Sequence, residues 1–222
     1  NNYFTDVGKL EVSENENTIY FIVDTCDGAL VEQALTEYPD MFDGFNGFTY
    51  FPNMSTTHSR TYPSIPYLLS GEICYFDKPY TQYVKDAFEN STFIEDMDKL
   101  GTDIRLYTEA QYIGESVLDK IDNHLSYDSA SISSMNVLNF IKQASKVSAY
   151  RGTPYILKEY FEYTSAIVND SSMKALPDKA LLFDDVDFCS DIMQDGIKVN
   201  KTYNKTFRMY HMFGTHLEFR LL

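Results

Sequence analysis

Thr18-Ile19-Tyr20-Phe21-Ile22-Val23 is a continuous run of β-branched and aromatic residues, and it breaks at Asp24-Thr25-Cys26-Asp27-Gly28. Such side chains suit a pleated strand, and a run apolar on both faces marks a buried central strand of an α/β sheet. Ala29-Leu30-Val31-Glu32-Gln33-Ala34-Leu35 then shows helical spacing and stops near Pro39. Strand followed by helix is a βα unit. In open α/β sheets ligands gather at the carboxyl ends of the strands, where Asp24 stands.

The same alternation continues outward. Residues 1–17 are polar, end in Glu14-Asn15-Glu16-Asn17, and read as a linker leading into a domain over 18–222. Gly44 to Phe51 reads as a turn and short strand, and 52–62 as a loop. Ser64 to Leu69 opens a helix with Pro63 at or near its first turn. The pattern from 81 to 100 is helical and acidic, ends at Gly101, and leads to a strand over Asp103–Tyr107. Helices are expected between 109 and 180, clearest at 135–150 and 155–168, and again over Leu181–Met193. Gly196–Val199 is a short strand, and the alternating, aromatic Thr206–Met212 is another, running into a loop at Phe213-Gly214-Thr215-His216. The expected fold class is α/β, a mainly parallel central sheet flanked by helices.

Composition narrows the function. Apolar residues make up 44% of the 222, enough for a sizeable core. Lys and Arg number 18 against 33 Asp and Glu, a net charge of −15, which argues against a nucleic-acid partner. The same charge repels the chain from an anionic membrane surface unless something tethers it. No apolar run reaches the ~18–20 residues of a membrane helix, and Asn1-Asn2-Tyr3-Phe4 does not open a signal peptide. The three cysteines (Cys26, Cys74, Cys189) are widely spaced and odd in number, which is no disulfide framework and no metal motif. Eighteen Tyr and 16 Phe leave two readings open: core packing, or broad contact with sugars or lipid headgroups.

Three places offer chemistry. Asp24 suits either a helix N-cap or a carboxylate ligand for Mg, Mn or Zn. In Thr61-Tyr62-Pro63-Ser64-Ile65-Pro66-Tyr67-Leu68-Leu69-Ser70-Gly71, Thr61 or Ser64 either caps a helix or lies beside free N–H groups that favour a phosphate or sulfate. His211-Met212-Phe213-Gly214-Thr215-His216 places two of the four histidines around a strand end, as structural residues or as an anion or metal site. His58 and His124 carry no supporting pattern, although His58 is close enough to Thr61 to sit at a pocket rim.

Taken in order, Asp24 after a strand, Thr-x-Pro-Ser-x-x-x-Leu-x-Ser-Gly at 61–71 and His-x-x-Gly-x-His at 211–216 resemble the alkaline phosphatase/sulfatase superfamily. The likeness is to its membrane-anchored phosphotransferases, the lipoteichoic acid synthases and phosphoethanolamine transferases. Asp43 to Tyr50 and Phe207-Arg208-Met209-Tyr210-His211 also resemble sulfatase-like proteins of cell-surface polymer loci. The likeness covers 18–71 and 181–219 well and 73–180 weakly.

The resemblance implies an alkaline phosphatase-like fold and a divalent metal (Mn, Mg or Zn) bound by Asp24 and Thr61. It implies Thr61 as the nucleophile, and His216 with His211 at the substrate's anionic group. The implied reaction transfers a phosphoryl-linked group, of phosphoglycerol or phosphoethanolamine type, through a phospho-threonine to a polymer or lipid. Sulfatases carry Cys or Ser at the nucleophile position and Arg four residues on; Thr61 and Ile65 here favour phosphoryl transfer. The substrate would be an anionic phospholipid or phosphorylated glycan, at the extracytoplasmic face of the cell membrane, on an anchor outside this chain.

The family's second metal-binding pair, Asp-His, occurs nowhere in the 222 residues. The expectation is therefore an amino-terminal part of the catalytic domain, with the carboxyl-terminal part missing, inactive by itself and binding metal weakly. An exposed sheet edge follows from the same expectation. The alternatives are a sulfatase- or phosphodiesterase-type hydrolase, and a non-catalytic relative that binds an anionic ligand.

Overall fold

A computed structural model describes residues 2–126, 141, 145, 148, 150, 152, 154 and 183–213. The chain divides into two units, 1–3 with 125–181, and 4–124 with 182–222. In the first, residues 141, 145, 148, 150 and 152 are helical, and the Ser145 hydroxyl donates to the Ile141 carbonyl at 2.8 Å. The helix expected at 155–168 and most of that at 135–150 lie outside the described residues.

Elements in chain order are β1 (Asn2–Phe4), β2 (Glu11–Val12), β3 (Glu16–Val23), α1 (Gly28–Glu37), α2 (Thr61–Ser70), α3 (Tyr80–Asn90), α4 (Phe93–Lys99) and β4 (Thr102–Tyr107). Then come β5 (His124–Ser126), α5 (Asp185–Asp195), β6 (Lys198–Val199) and β7 (Lys205–Met212). Short 3-10 turns at Ala110–Tyr112 and Glu115–Lys120 lie between β4 and β5. The three-stranded sheet has order β3-β7-β4 and is parallel throughout, as expected. The expected α/β class therefore holds at the level of parallel strands flanked by helices, with small sheets.

Register decides what each face carries. Tyr20 is level with Met209, Ile22 with His211, Ile104 with Phe207 and Leu106 with Met209. Phe207, Met209, Ile104 and Leu106, with Tyr20 and Ile22 packed against them, join the core built by α2, α3 and α4. Helix α3 meets it with Tyr83, Val84, Ala87 and Phe88, one apolar stripe at helical spacing. The opposite face carries Tyr107 and Tyr210, covered by Phe188 of α5. There Tyr107 and Tyr210 stack at 4.9 Å, and Phe21 continues the stack on Tyr210 at 5.0 Å. Part of the aromatic excess is thus a ladder across three strands, which favours the packing reading for these rings.

Several expectations change. β7, not β3, is the central strand among the described residues. β3 lies at the edge, and Ile19, Phe21 and Val23 are 40%, 56% and 44% exposed. Its outward face is apolar without being buried, so composition alone overstated its depth. Residues 44–51 form turns and no strand. The expected helix at 81–100 is two helices broken at Ser91-Thr92, and α5 begins at Asp185, capped by the Asp184 carboxylate.

The polar 1–17 stretch is packed rather than a free linker. Leu10 and Ser13 are buried, and β2 pairs in parallel with β6. Its anchor is a charge network at the amino-terminal end of the sheet. Arg105 grips Asp103 through two N–H bonds of 2.8 and 3.0 Å, and the fully buried Arg208 lies 2.6 Å from the same carboxylate. Arg208 Nε donates to the Glu11 carbonyl and Arg105 Nη1 to that of Val7. Gly8, at φ +72°, lets the chain pass over this guanidinium; a Cβ there would lie 2.6 Å from Arg105 Nη1.

Candidate functional site

Asp24, Thr108 and His211 come from three adjacent strands, at or just beyond their carboxyl ends. The side-chain period of two, with Ile22 level with His211, puts Asp24 on the α2 side of the sheet, the face that His211 also occupies. Asp24 continues the ladder one step past β3, its N–H donating to the Met212 carbonyl at 2.9 Å. Helix α2 then brings Thr61 to this corner as its first residue.

The site is built on the Asp24 carboxylate. Oδ1 accepts from the Thr25 N–H at 2.9 Å, and Oδ2 accepts from the Thr61 hydroxyl at 2.9 Å. Thr25 adopts φ +57°, a left-handed conformation costly for a β-branched residue, of order 1–3 kcal/mol. Asp24 does not cap α1; Asp27 does, accepting from the Ala29 N–H at 2.7 Å. Nor do Thr61 and Ser64 cap α2. Arg60 holds the N-cap position without a side-chain bond, and the Ser64 hydroxyl donates back to the Arg60 carbonyl at 2.7 Å.

His211 is fully buried. Its Nε2 faces Asp24 Oδ2 at 3.6 Å, and its Nδ1 lies 3.1 Å from the Thr108 hydroxyl. Phe213 and Tyr112 wall the ring at 4.3 and 6.1 Å. Burial pulls its pKa below the ordinary value, against the opposing pull of Asp24, so the ring is neutral near pH 7. Where the resemblance implies contact with the substrate's anionic group, the structure places His211 with no exposed surface, behind Asp24. His216 lies outside the described residues.

His58 is also structural. Its Nε2 accepts the Cys74 N–H at 3.4 Å, and its carbonyl accepts from the Thr56 and Ser64 hydroxyls at 2.6 and 3.4 Å. Packed edge-on to Tyr67 and Phe76, it pins the loop that delivers Thr61. The sequence reading missed Thr108 entirely. Its only signal was its place one residue after β4, a hydroxyl at a strand end.

The Asp24 and Thr61 oxygens are hard donors that suit Mg, Mn or Zn in kind. In number they fall short of the ~4–6 ligands such ions take. Among the described residues no group of three His, Cys, Asp or Glu side chains is placed to hold one ion. No described helix is long and apolar enough to cross a membrane. Cys26 and Cys189 are exposed, Cys74 is buried, and all three are free. No family model matches the chain, and no curated protein or solved structure matches it either.

Proposed function

We propose that this chain carries the nucleophile half of a phosphoryl-transfer site, with Thr61 as the attacking hydroxyl and Asp24 as the carboxylate that orients it. The observation that supports this most directly is the 2.9 Å Thr61–Asp24 hydrogen bond, which joins a strand end to a helix start 37 residues away. The hydroxyl proton points at Oδ2, which leaves the Oγ1 lone pairs free to approach an electrophile. The ten-residue α2 begins at that oxygen, and its dipole and first N–H groups favour an anionic phosphoryl group.

In the proposed step an Oγ1–P bond forms as the donor's P–O bond breaks, and the Thr61 proton passes by way of Asp24 to the departing oxygen, which leaves as an alcohol. A hydroxyl of the acceptor then displaces Thr61. A divalent cation would lower the pKa of the hydroxyl and offset phosphate charge, with Asp24 and Thr61 among its ligands. The donor set is incomplete in number, so further ligands must come from elsewhere. The motif order supports a phosphoglycerol- or phosphoethanolamine-type donor, an anionic lipid or phosphorylated glycan substrate, and an extracytoplasmic, membrane-tethered setting.

The test is peptide mass spectrometry after incubation of the ectodomain that contains these residues with Mn²⁺ and a phospholipid donor. A covalent adduct on Thr61 that disappears in Thr61→Ala is the expected result. An adduct on a different residue refutes the assignment.

A further inference from the structure

Asp24 is reached from three directions by hydrogen-bond donors or their ring equivalents. The Thr25 N–H holds Oδ1, and the Thr61 hydroxyl and the His211 ring share Oδ2. Among the described residues, His211 Nε2 is a buried polar atom without a hydrogen-bond partner inside 3.5 Å, and the atom it faces is a carboxylate oxygen at 3.6 Å. A buried N–H needs an acceptor, and a bare ring nitrogen facing a carboxylate would be repelled. The ring's other nitrogen settles which tautomer meets both needs. If the Thr108 hydroxyl donates to Nδ1, the single ring proton sits on Nε2 and points at Asp24.

We infer that His211 is a positioning residue rather than a ligand-binding one: Thr108 fixes its tautomer, and its Nε2–H holds the Asp24 carboxylate in the orientation that receives the Thr61 hydroxyl. The inference deepens the phosphoryl-transfer reading and rests on it for its role in reactivity. The path runs Thr108 to His211 to Asp24 from one side and Thr61 to Asp24 from the other. All of it comes from the carboxyl ends of β4, β7 and β3 and the start of α2. Sheet register puts Thr108 level with His211, one step beyond the Tyr107–Tyr210 pair, and Asp24 on the same face two residues past Ile22, which is also level with His211. The arrangement follows the general logic by which a histidine's second nitrogen is bonded so as to set the first.

The experiment has two readouts. Nitrogen-15 spectra of the histidine rings in the folded chain at neutral pH should show His211 protonated at Nε2 and bare at Nδ1. Asp24→Asn and Thr108→Val should each move the His211 ring signals and leave those of His58 in place. A ring protonated at Nδ1, or signals indifferent to Asp24→Asn, overturns the inference.

The second readout compares His211→Gln, which keeps an N–H donor at the Nε2 position, with His211→Met, which does not. With Gln, Thr61 adduct formation should stay within about threefold of the parent protein and the Asp24 carboxyl ¹³C signal should keep its parent position, while with Met adduct formation falls about tenfold or more and that signal moves. Equal defects in the two variants, with both folded, overturn the inference. If Thr61 is never labelled in the parent protein while the ring signals behave as stated, the phosphoryl-transfer reading fails and the placement of His211 stands.

Discussion

Residues 28–54 and the α2–α4 layer both lie between β3 and β4 in the same unit, yet they are built in opposite ways. Helix α1 buries none of its residues, and 41–54 are exposed throughout, with Phe48 at 76%. Its rings contact mainly each other, Phe42–Phe45 at 5.2 Å and Phe45–Phe48 at 5.1 Å. Helices α2, α3 and α4 instead surround Phe207, Met209, Ile104 and Leu106, which are at most 0% exposed. The candidate site bridges the two: Asp24 ends the lightly packed edge strand, and Thr61 opens the first helix of the packed layer. The lesson is that the Asp24–Thr61 pair is positioned by the packed side, through α2, β7 and the buried His58, while residues 28–54 add little to the hold.

That contrast can be broken or sharpened by measurement. The largest effect should come from Phe207→Ala, which removes a fully buried ring and should cost about 3–5 kcal/mol of unfolding free energy in denaturant titration. A loss below 1 kcal/mol would mean that the central strand is not the seat of the core. Asp103→Ala should cost a comparable amount, about 3–5 kcal/mol, because it strands the buried Arg208 guanidinium. Asp103→Asn tests whether the carboxylate's charge or its shape matters.

Acid should act through His211 next. Its folded pKa is depressed below the ordinary 6.5, so the folded state prefers the neutral ring. That contribution is fully present above pH 6.5 and is lost as pH falls toward the folded pKa. Thermal melts of the parent chain should therefore decline from pH 7 to pH 5 more steeply than those of His211→Gln. Parallel declines would assign the acid sensitivity to other groups.

Hydrogen exchange separates the regions without a substitution. Amides of β7 should exchange only on global opening, and those of 38–54 near the unprotected rate. Protection across 38–54 would show that this segment is covered in solution. The smallest effect is expected for Phe48→Ala, within about 0.5 kcal/mol.

The positions of β3, β4 and β7 were legible in the sequence because β-branched and aromatic residues suit a pleated strand, although the aromatic 44–51 stretch formed none. Thr206–Met212 and Asp103–Tyr107 each lie within one residue of the strands found. Strand depth was not legible. Thr18 to Val23 is apolar on both faces, yet among the described residues it is an edge strand, because burial depends on which neighbour a strand acquires. The 1–17 stretch is polar in composition but is held by Arg105 and Arg208, whose partners lie about a hundred residues or more away in sequence.

For the site, local chemistry singled out Asp24 and Thr61, one after a strand and one before a helix. Residue type at a strand or helix end is a short-range signal, and the sequence by itself determined it. Only the tertiary structure decided that these two touch, that Thr108 stands level with His211, and that His211 is sealed behind Asp24. Those facts depend on parallel register, which aligns residues far apart in the chain and leaves no mark in either segment alone.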